Sequence, residues 1–270
     1  PFAGVEMDAR FYISNLNTYV PMAFAMEQKF QSSMKKNGIS NATVGPLAEA
    51  LKLTQVDFSD KNALEYNVKK WKTVAEQNAS WLAEKLDGKG KIIVLNGIAG
   101  AATDSLRWGG AEEVFKNYPD IEVLGSANAS WDYAQGKAAV ESMLSAYPEI
   151  DGVWSQGGAM TQGAIDAFIA AGRDLVPMTS EGNNGALKAW YENRDNGLSC
   201  IAPSNPTYTS AEALRTVIKA LNGEDIPKNV VMDIETVTED NLEDYYRPDM
   251  PDSFWVLTEL DDEALQKLYK

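Results

Sequence analysis

The sequence predicts an α/β protein in which parallel strands alternate with helices. Three observations predict it. Apolar runs rich in β-branched residues recur along the chain, each is followed by a stretch of helical period, and glycines or other turn residues punctuate the two. With 270 residues, 44% of them hydrophobic, the chain can bury the core of one large domain or of two modest lobes.

The elements follow in order. A strand near Phe11 to Asn15 precedes a helix whose Met26, Phe30 and Met34 share one face, with Gly38 as its stop. "KIIVLNG" reads as a strand before a helix around Leu106 to Asn117. "IEVLGSA" leads to a helix carrying Val140, Met143, Leu144 and Tyr147, and "DGVWSQ" to one carrying Ile165, Phe168 and Ile169 that Gly172 ends. "LVPMTS" then precedes "NNGALKAWYEN". "LSCIAPS" precedes a helix striped by Ala211, Leu214, Ile218 and Leu221. The tail reads as an extended wrap, "YYRPDMPDSFW", followed by a short acidic helix that packs back onto the second half. No Gly/Ser linker and no solenoid repeat occurs, so a two-lobe division must use short crossings, with candidates at Asn67 to Trp71, Pro203 to Thr207 and Met232 to Thr238.

Composition excludes several functions. Asp and Glu number 39 against 24 Lys and Arg, a net charge of −15 that repels nucleic acid and anionic membrane surfaces at long range. Histidine is absent, which removes Ser-His-Asp and Cys-His nucleophiles and every His-based zinc site. The lone Cys200 lies among apolar residues in "GLSCIAP" and is expected to be a buried structural thiol. No stretch is long and apolar enough to span a bilayer, and "PFAGVEMDAR" is no signal segment; the start at Pro1 reads as a processed or trimmed chain.

"NGIAG" lacks the Lys-Ser/Thr of a P-loop, and Gly97-Ile98-Ala99-Gly100 lacks the spacing of a dinucleotide turn. The expected use of Gly97 and Gly100 is a tight turn at a strand's carboxyl end, where open α/β sheets place ligands, bringing Asp104 and Arg107 near a crevice.

The stretch from "GKGKIIVLNGIAG" through "LRWGGAEEVF", "SWDYAQG", "PEIDGV" and "GAIDAF" resembles the ribose-binding-protein family of periplasmic sugar receptors. "FYISNLNTYVPMAFAMEQKF" and "ALEYNVKKWKTVAEQNASWLAEK" are similar to the family's first strand and helix and to its first crossing. The resemblance implies two Rossmann-like lobes with parallel-rich sheets joined by a three-strand hinge, the type I periplasmic binding protein fold. On that reading residues 1–69 plus 204–234 form the N-terminal lobe, and 70–203 plus 235–270 the C-terminal lobe. Between Gly38 and Asn41 the family pattern requires a further strand-helix-strand unit of roughly 30 residues. The expectation is that a segment is omitted near Ile39 to Asn41, the alternative being a true deletion.

A sugar offers hydroxyls that donate and accept, and ring faces of C–H, so its site needs carboxylates or amides and flat aromatics. By the resemblance, Trp131 is expected as a stacking wall and Glu181, where the family has a sugar-binding Asp, as the strongest polar contact. Asn183 is weaker, because Asn-Asn-Gly is also ordinary turn chemistry. Asn15 and Tyr19 follow the first strand, and Ser59 and Asp60 stand where the family presents an Asp-Arg pair. Asp104 and Ser105 replace another family arginine, and Gln156 is the amide left in "SQGGAM". These departures argue against ribose itself. Asp132 is equally open to capping its helix and to binding; Arg107 is expected to anchor its own helix, and Met160 and Phe168 to be core.

The resemblance thus implies an extracytoplasmic solute-binding protein of an ABC importer, periplasmic or membrane-anchored. It would be monomeric, partnered by a permease, free of cofactor and metal, and closing about a hinge on a neutral sugar or polyol. Two other readings stand beside it: a glycoside hydrolase using Glu181 with Asp104 or Asp60, and the ligand-sensing module of a regulator or chemoreceptor.

Overall fold

The computed structural model describes residues 61–204, 207, 208, 215, 216, 219, 222, 224, 225 and 235–269. The chain divides into two compact units, Pro1–Lys69 with Tyr208–Met232, and Lys70–Thr207 with Asp233–Lys270. The second is described below. The first strand and helix, the expected omission near Ile39 to Asn41, the stripe Ala211, Leu214, Ile218 and Leu221, and the candidates Asn15, Tyr19, Ser59 and Asp60 lie outside the described residues.

Helix α1, Lys61–Lys85, carries the chain through the expected crossing at Asn67 to Trp71, and the boundary between the two units, Lys69 to Lys70, falls within that stretch. No glycine or proline interrupts this stretch, so nothing in the local backbone stops the helix. From there strands and helices alternate: β1 (Lys89–Asn96), α2 (Ala102–Phe115), β2 (Asp120–Asn128), α3 (Tyr133–Ala146), β3 (Gly152–Ser155), α4 (Gly158–Ala170), β4 (Met178–Thr179), α5 (Asn184–Asn193) and β5 (Cys200–Pro203). The tail adds β6 (Thr236–Val237), α6 (Leu242–Tyr245) and α7 (Asp262–Tyr269). Sheet order is β2-β1-β3-β4-β5-β6. All pairs are parallel except β5 with β6.

The central strands read as continuous apolar runs because both faces are covered. In β1, Ile92, Ile93, Val94 and Leu95 are all fully buried. Alternation sends Ile93 and Leu95, with Val153 of β3, into one core with Val140, Ile165 and Phe168 of α3 and α4. It sends Ile92 and Val94, with Trp154, into another with Ala75, Ala79 and Leu82 of α1 and Ala111 and Phe115 of α2. Each such aliphatic side chain contributes about 1.5–3 kcal/mol.

Two element boundaries differ from expectation. Helix α2 begins at Ala102 rather than Leu106, because Gly100 turns the chain at φ 82° and Ala101 is already the extended N-cap; Asp104 then sits in the first turn, where a carboxylate suits the helix dipole. "LVPMTS" contributes only Met178 and Thr179 to the ladder, since Pro177 has no N–H to give and offers only its carbonyl, to Val153 N at 3.0 Å. Gly172, at φ 64°, ends α4 as expected, with Arg173 N donating back to Phe168 O at 3.0 Å.

The tail folds onto its own unit. Asn184 Nδ2 donates to the carbonyls of Arg247, Met250 and Pro251, and its Oδ1 accepts from Arg247 N. Phe254 O and Asp252 O accept from Asn184 N and Gly185 N, and Val256 N donates to Gly182 O. The strap 247–256 is thus laced to the loop that follows β4.

Candidate functional site

Polar groups gather where β1, β3 and β4 end. Asp104, at the start of α2, accepts from Gly97 N at 2.7 Å and from Gln156 Nε2 at 2.9 Å. The same amide nitrogen reaches Asn96 Oδ1 at 3.0 Å. Arg107, one turn further along α2, donates to Gln156 O and to Glu181 Oε1, both at 2.5 Å. Gln156, Asp104, Arg107 and Glu181 are all buried, and Arg107 is the only buried cation among the described residues.

Arg107 thus anchors its helix, as expected, by tying α2 to the ends of β3 and β4. Glu181, buried and paired with Arg107, is withdrawn from solvent as a cleft-edge carboxylate should be. A buried Arg–carboxylate pair removes two charges from water and is held only while both partners remain. Burial pushes the Asp104 carboxyl upward, and the Gly97 N–H, the Gln156 amide and the nearby Arg107 oppose that shift.

Trp131 stands beside this array. Ser130 and Trp131 are consecutive L-residues in the left-handed region, at φ 53° and 54°, a conformation costing about 1–2 kcal/mol per residue. It is held by Ala129 N to Asn96 O at 2.8 Å, Ser130 N to Gly97 O at 3.3 Å and Asn128 Nδ2 to Gly97 O at 3.1 Å. The indole packs on two glycines. A Cβ at Gly97 would lie 2.2 Å from Trp131 Cε2, and one at Gly157 would lie 2.7 Å from its Cδ1 and 3.6 Å from Glu181 Oε2. Gly97 is therefore needed for close approach of the indole, while the positive φ of the turn falls on Gly100. Trp131 Nε1 is shielded from solvent without a hydrogen-bond partner among the described residues.

Of the candidates within the described residues, Asp104, Gln156 and Glu181 thus form one connected array, and Trp131 meets Glu181 across Gly157. Ser105 stands apart: it is exposed and its hydroxyl bonds back to Ala101 O at 3.3 Å. Asn183 caps α5, accepting from Ala186 N at 3.3 Å. Asp132 likewise caps α3, accepting from Gln135 N at 2.9 Å. Met160 and Phe168 are core, and Cys200 is a buried thiol whose pKa burial drives upward. Sequence reasoning missed Asn96, Gly157 and the ion-pairing of Arg107. Asn78 was also missed, although an amide within the apolar spacing Ala75, Ala79, Leu82 was a readable signal. Among the described residues no metal-ligating cluster occurs, and no helix is long and apolar enough to cross a membrane.

An open, mostly parallel sheet covered on both faces, with its buried polar groups beyond the strand carboxyl ends, defines an α/β lobe of the kind that takes small solutes at that edge. The chain belongs to the periplasmic binding protein domain family, whose model matches residues 25–225. It is 31% identical over 169 residues to the xylitol-binding protein of Mycolicibacterium smegmatis, covering 62% of this chain and 48% of that one. It is 26% identical over 204 residues to the ribose import binding protein of Bacillus subtilis, covering 75% and 61%. Among solved structures, an ABC transporter periplasmic solute binding protein from Actinobacillus succinogenes with bound D-allose superposes with a TM-score of 0.56 at 27% identity, covering 65% of this chain and 61% of that one. The match thus spans 48% and 61% of the lengths of these two relatives, and both are named as binding proteins rather than enzymes.

Proposed function

We propose that this chain is the extracytoplasmic solute receptor of an ABC importer and that its solute is a neutral sugar or polyol. The observation that carries the reading is the array of Asp104, Gln156, Arg107 and Glu181 beside Trp131. It combines two carboxylates, an amide and a flat indole, and its one cation is already engaged by Glu181. The array carries one net negative charge, which disfavours a phosphorylated solute and suits hydroxyls. The strained backbone at Ser130 and Trp131 supports a role for the indole as a pre-set wall, since such conformations cluster at ligand clamps. The names of the relatives, xylitol-binding and ribose import binding, support the same solute class. Delivery to a membrane permease and action as a monomer belong to the proposal.

Isothermal titration against pentoses, hexoses and their polyols tests it. At least one neutral member should bind and raise the thermal midpoint. Trp131→Ala should abolish that binding while the variant remains folded by circular dichroism. Absence of binding across the panel, or undiminished affinity in Trp131→Ala, would refute the corresponding part. Turnover of a glycoside panel that disappears in Glu181→Gln would establish hydrolysis instead.

A further inference from the structure

Beneath this edge, on the face of the sheet covered by α1 and α2, lies a cavity of about 10 Å3 whose walls include Asn78, Arg107, Trp154, Gln156 and Glu181. Apart from Arg107, whose guanidinium is engaged by Gln156 O and Glu181, three of these carry a solvent-shielded polar atom with no hydrogen-bond partner among the described residues: Asn78 Oδ1, Trp154 Nε1 and Gln156 Oε1. The three side chains belong to residues 5%, 1% and 3% exposed, so bulk solvent does not satisfy them. They supply one donor and two acceptors. The complementary guest accepts one hydrogen bond and donates two, which a water molecule does and a single alcohol hydroxyl cannot, having one proton. The volume is that of one water, for which about 10–15 Å3 and two to four polar partners are required.

We propose that this cavity is a built site for one resident water, bridging α1 to the end of β3 behind the solute-facing array. Trp154 is held for this purpose by its edge-on contact with Trp108, ring centroids 5.5 Å apart. The water accepts from Trp154 Nε1 and donates to Asn78 Oδ1 and Gln156 Oε1. It thereby fixes which way the Gln156 amide faces. With Oε1 on the water, Nε2 is committed to Asp104 and Asn96; the flipped amide would turn its oxygen on the Asp104 carboxylate. The water makes Gln156 a positioning residue for Asp104, and it is independent of which solute the chain binds.

High-resolution crystal structures of the full chain, alone and with xylitol, test this. A single oxygen peak within hydrogen-bond distance of all three atoms, unmoved by xylitol, is expected. Empty density, side chains rotated to bond one another, or a xylitol hydroxyl at that position would overturn the proposal. Trp154→Phe keeps most of the ring and removes the donor. It should lower the thermal midpoint by about 2–4 °C and weaken or abolish the peak; a variant as stable as the parent that retains the peak in full would also overturn it. Failure of the solute reading would show only in the titrations and leave these readouts intact.

Discussion

The pair Arg107–Glu181 offers a quantitative test of how the site is held. Its side chains are 7% and 10% exposed with Nη2 and Oε1 2.5 Å apart, so neither charge has a solvent refuge. Arg107→Met leaves the Glu181 carboxylate buried without its cation, and Glu181→Gln leaves the guanidinium without its anion. Breaking a buried pair in this way costs about 3–5 kcal/mol, which for a unit of this size lowers the thermal midpoint by about 6–20 °C. In the double variant neither charge remains, and the residual cost is that of the Gln156 carbonyl deprived of Arg107, about 1–3 kcal/mol. Urea unfolding of the four proteins at pH 7, followed by circular dichroism, closes the cycle. The double variant should be no less stable than either single. Two singles each costing under about 1 kcal/mol and adding in the double would show an exposed pair, and the account of the site as a buried, mutually dependent array would be wrong.

Three further outcomes follow from other contacts. Gly97→Ala places a methyl 2.2 Å from the Trp131 ring; the indole must shift, at about 1–3 kcal/mol, and tryptophan emission compared with Trp131→Phe should report its displacement, an unchanged spectrum speaking against the seat. Asp104 has its pKa raised by burial, so its stabilising effect is present in the protonated form below the unfolded value of about 3.9 and is lost as pH rises through the higher folded value. Asp104→Asn should therefore gain stability relative to the parent as pH rises from about 3.9 towards 7, and a pH-independent difference in urea unfolding would contradict it. Asn184→Ala removes the amide bonds to the strap at Arg247, Met250 and Pro251. It should cost about 1–3 kcal/mol and open the strap to limited proteolysis near 247–251, whereas parent-like resistance would mean that the lacing lies elsewhere.

Much of this was legible in the sequence because it depends on local pattern. The strand-helix alternation from "KIIVLNG" to "LSCIAPS" needs only a buried run and a helical period, and both appear as read. The family followed from motifs scattered over many elements; Trp131, Gln156 and Glu181 fall just past strand carboxyl ends, and Asp104 in the first turn of the helix after β1. Local pattern failed where neighbours in space decide. The pairing of Asp104 with Gln156 and of Arg107 with Glu181 joins residues 52 and 74 positions apart, and "LVPMTS" pairs only through Met178 and Thr179, beside a Pro177 that has no N–H to give.

The sequence by itself determined the α/β class and the exclusion of histidine chemistry, since periodicity and composition are properties of the chain alone, and its motif resemblance pointed to the family and to the residue types at the site. Only the tertiary structure decided what those residues do to one another. That Arg107 holds its helix through Glu181, that Gly97 exists to admit an indole, and that Gln156 spends its amide on Asp104 depend on approaches between residues 34 to 74 positions apart. The physical reason is that burial turns charge and shape into obligations. A carboxylate withdrawn from water must find its cation, and a ring must find backbone without Cβ, wherever in the chain the fold supplies them.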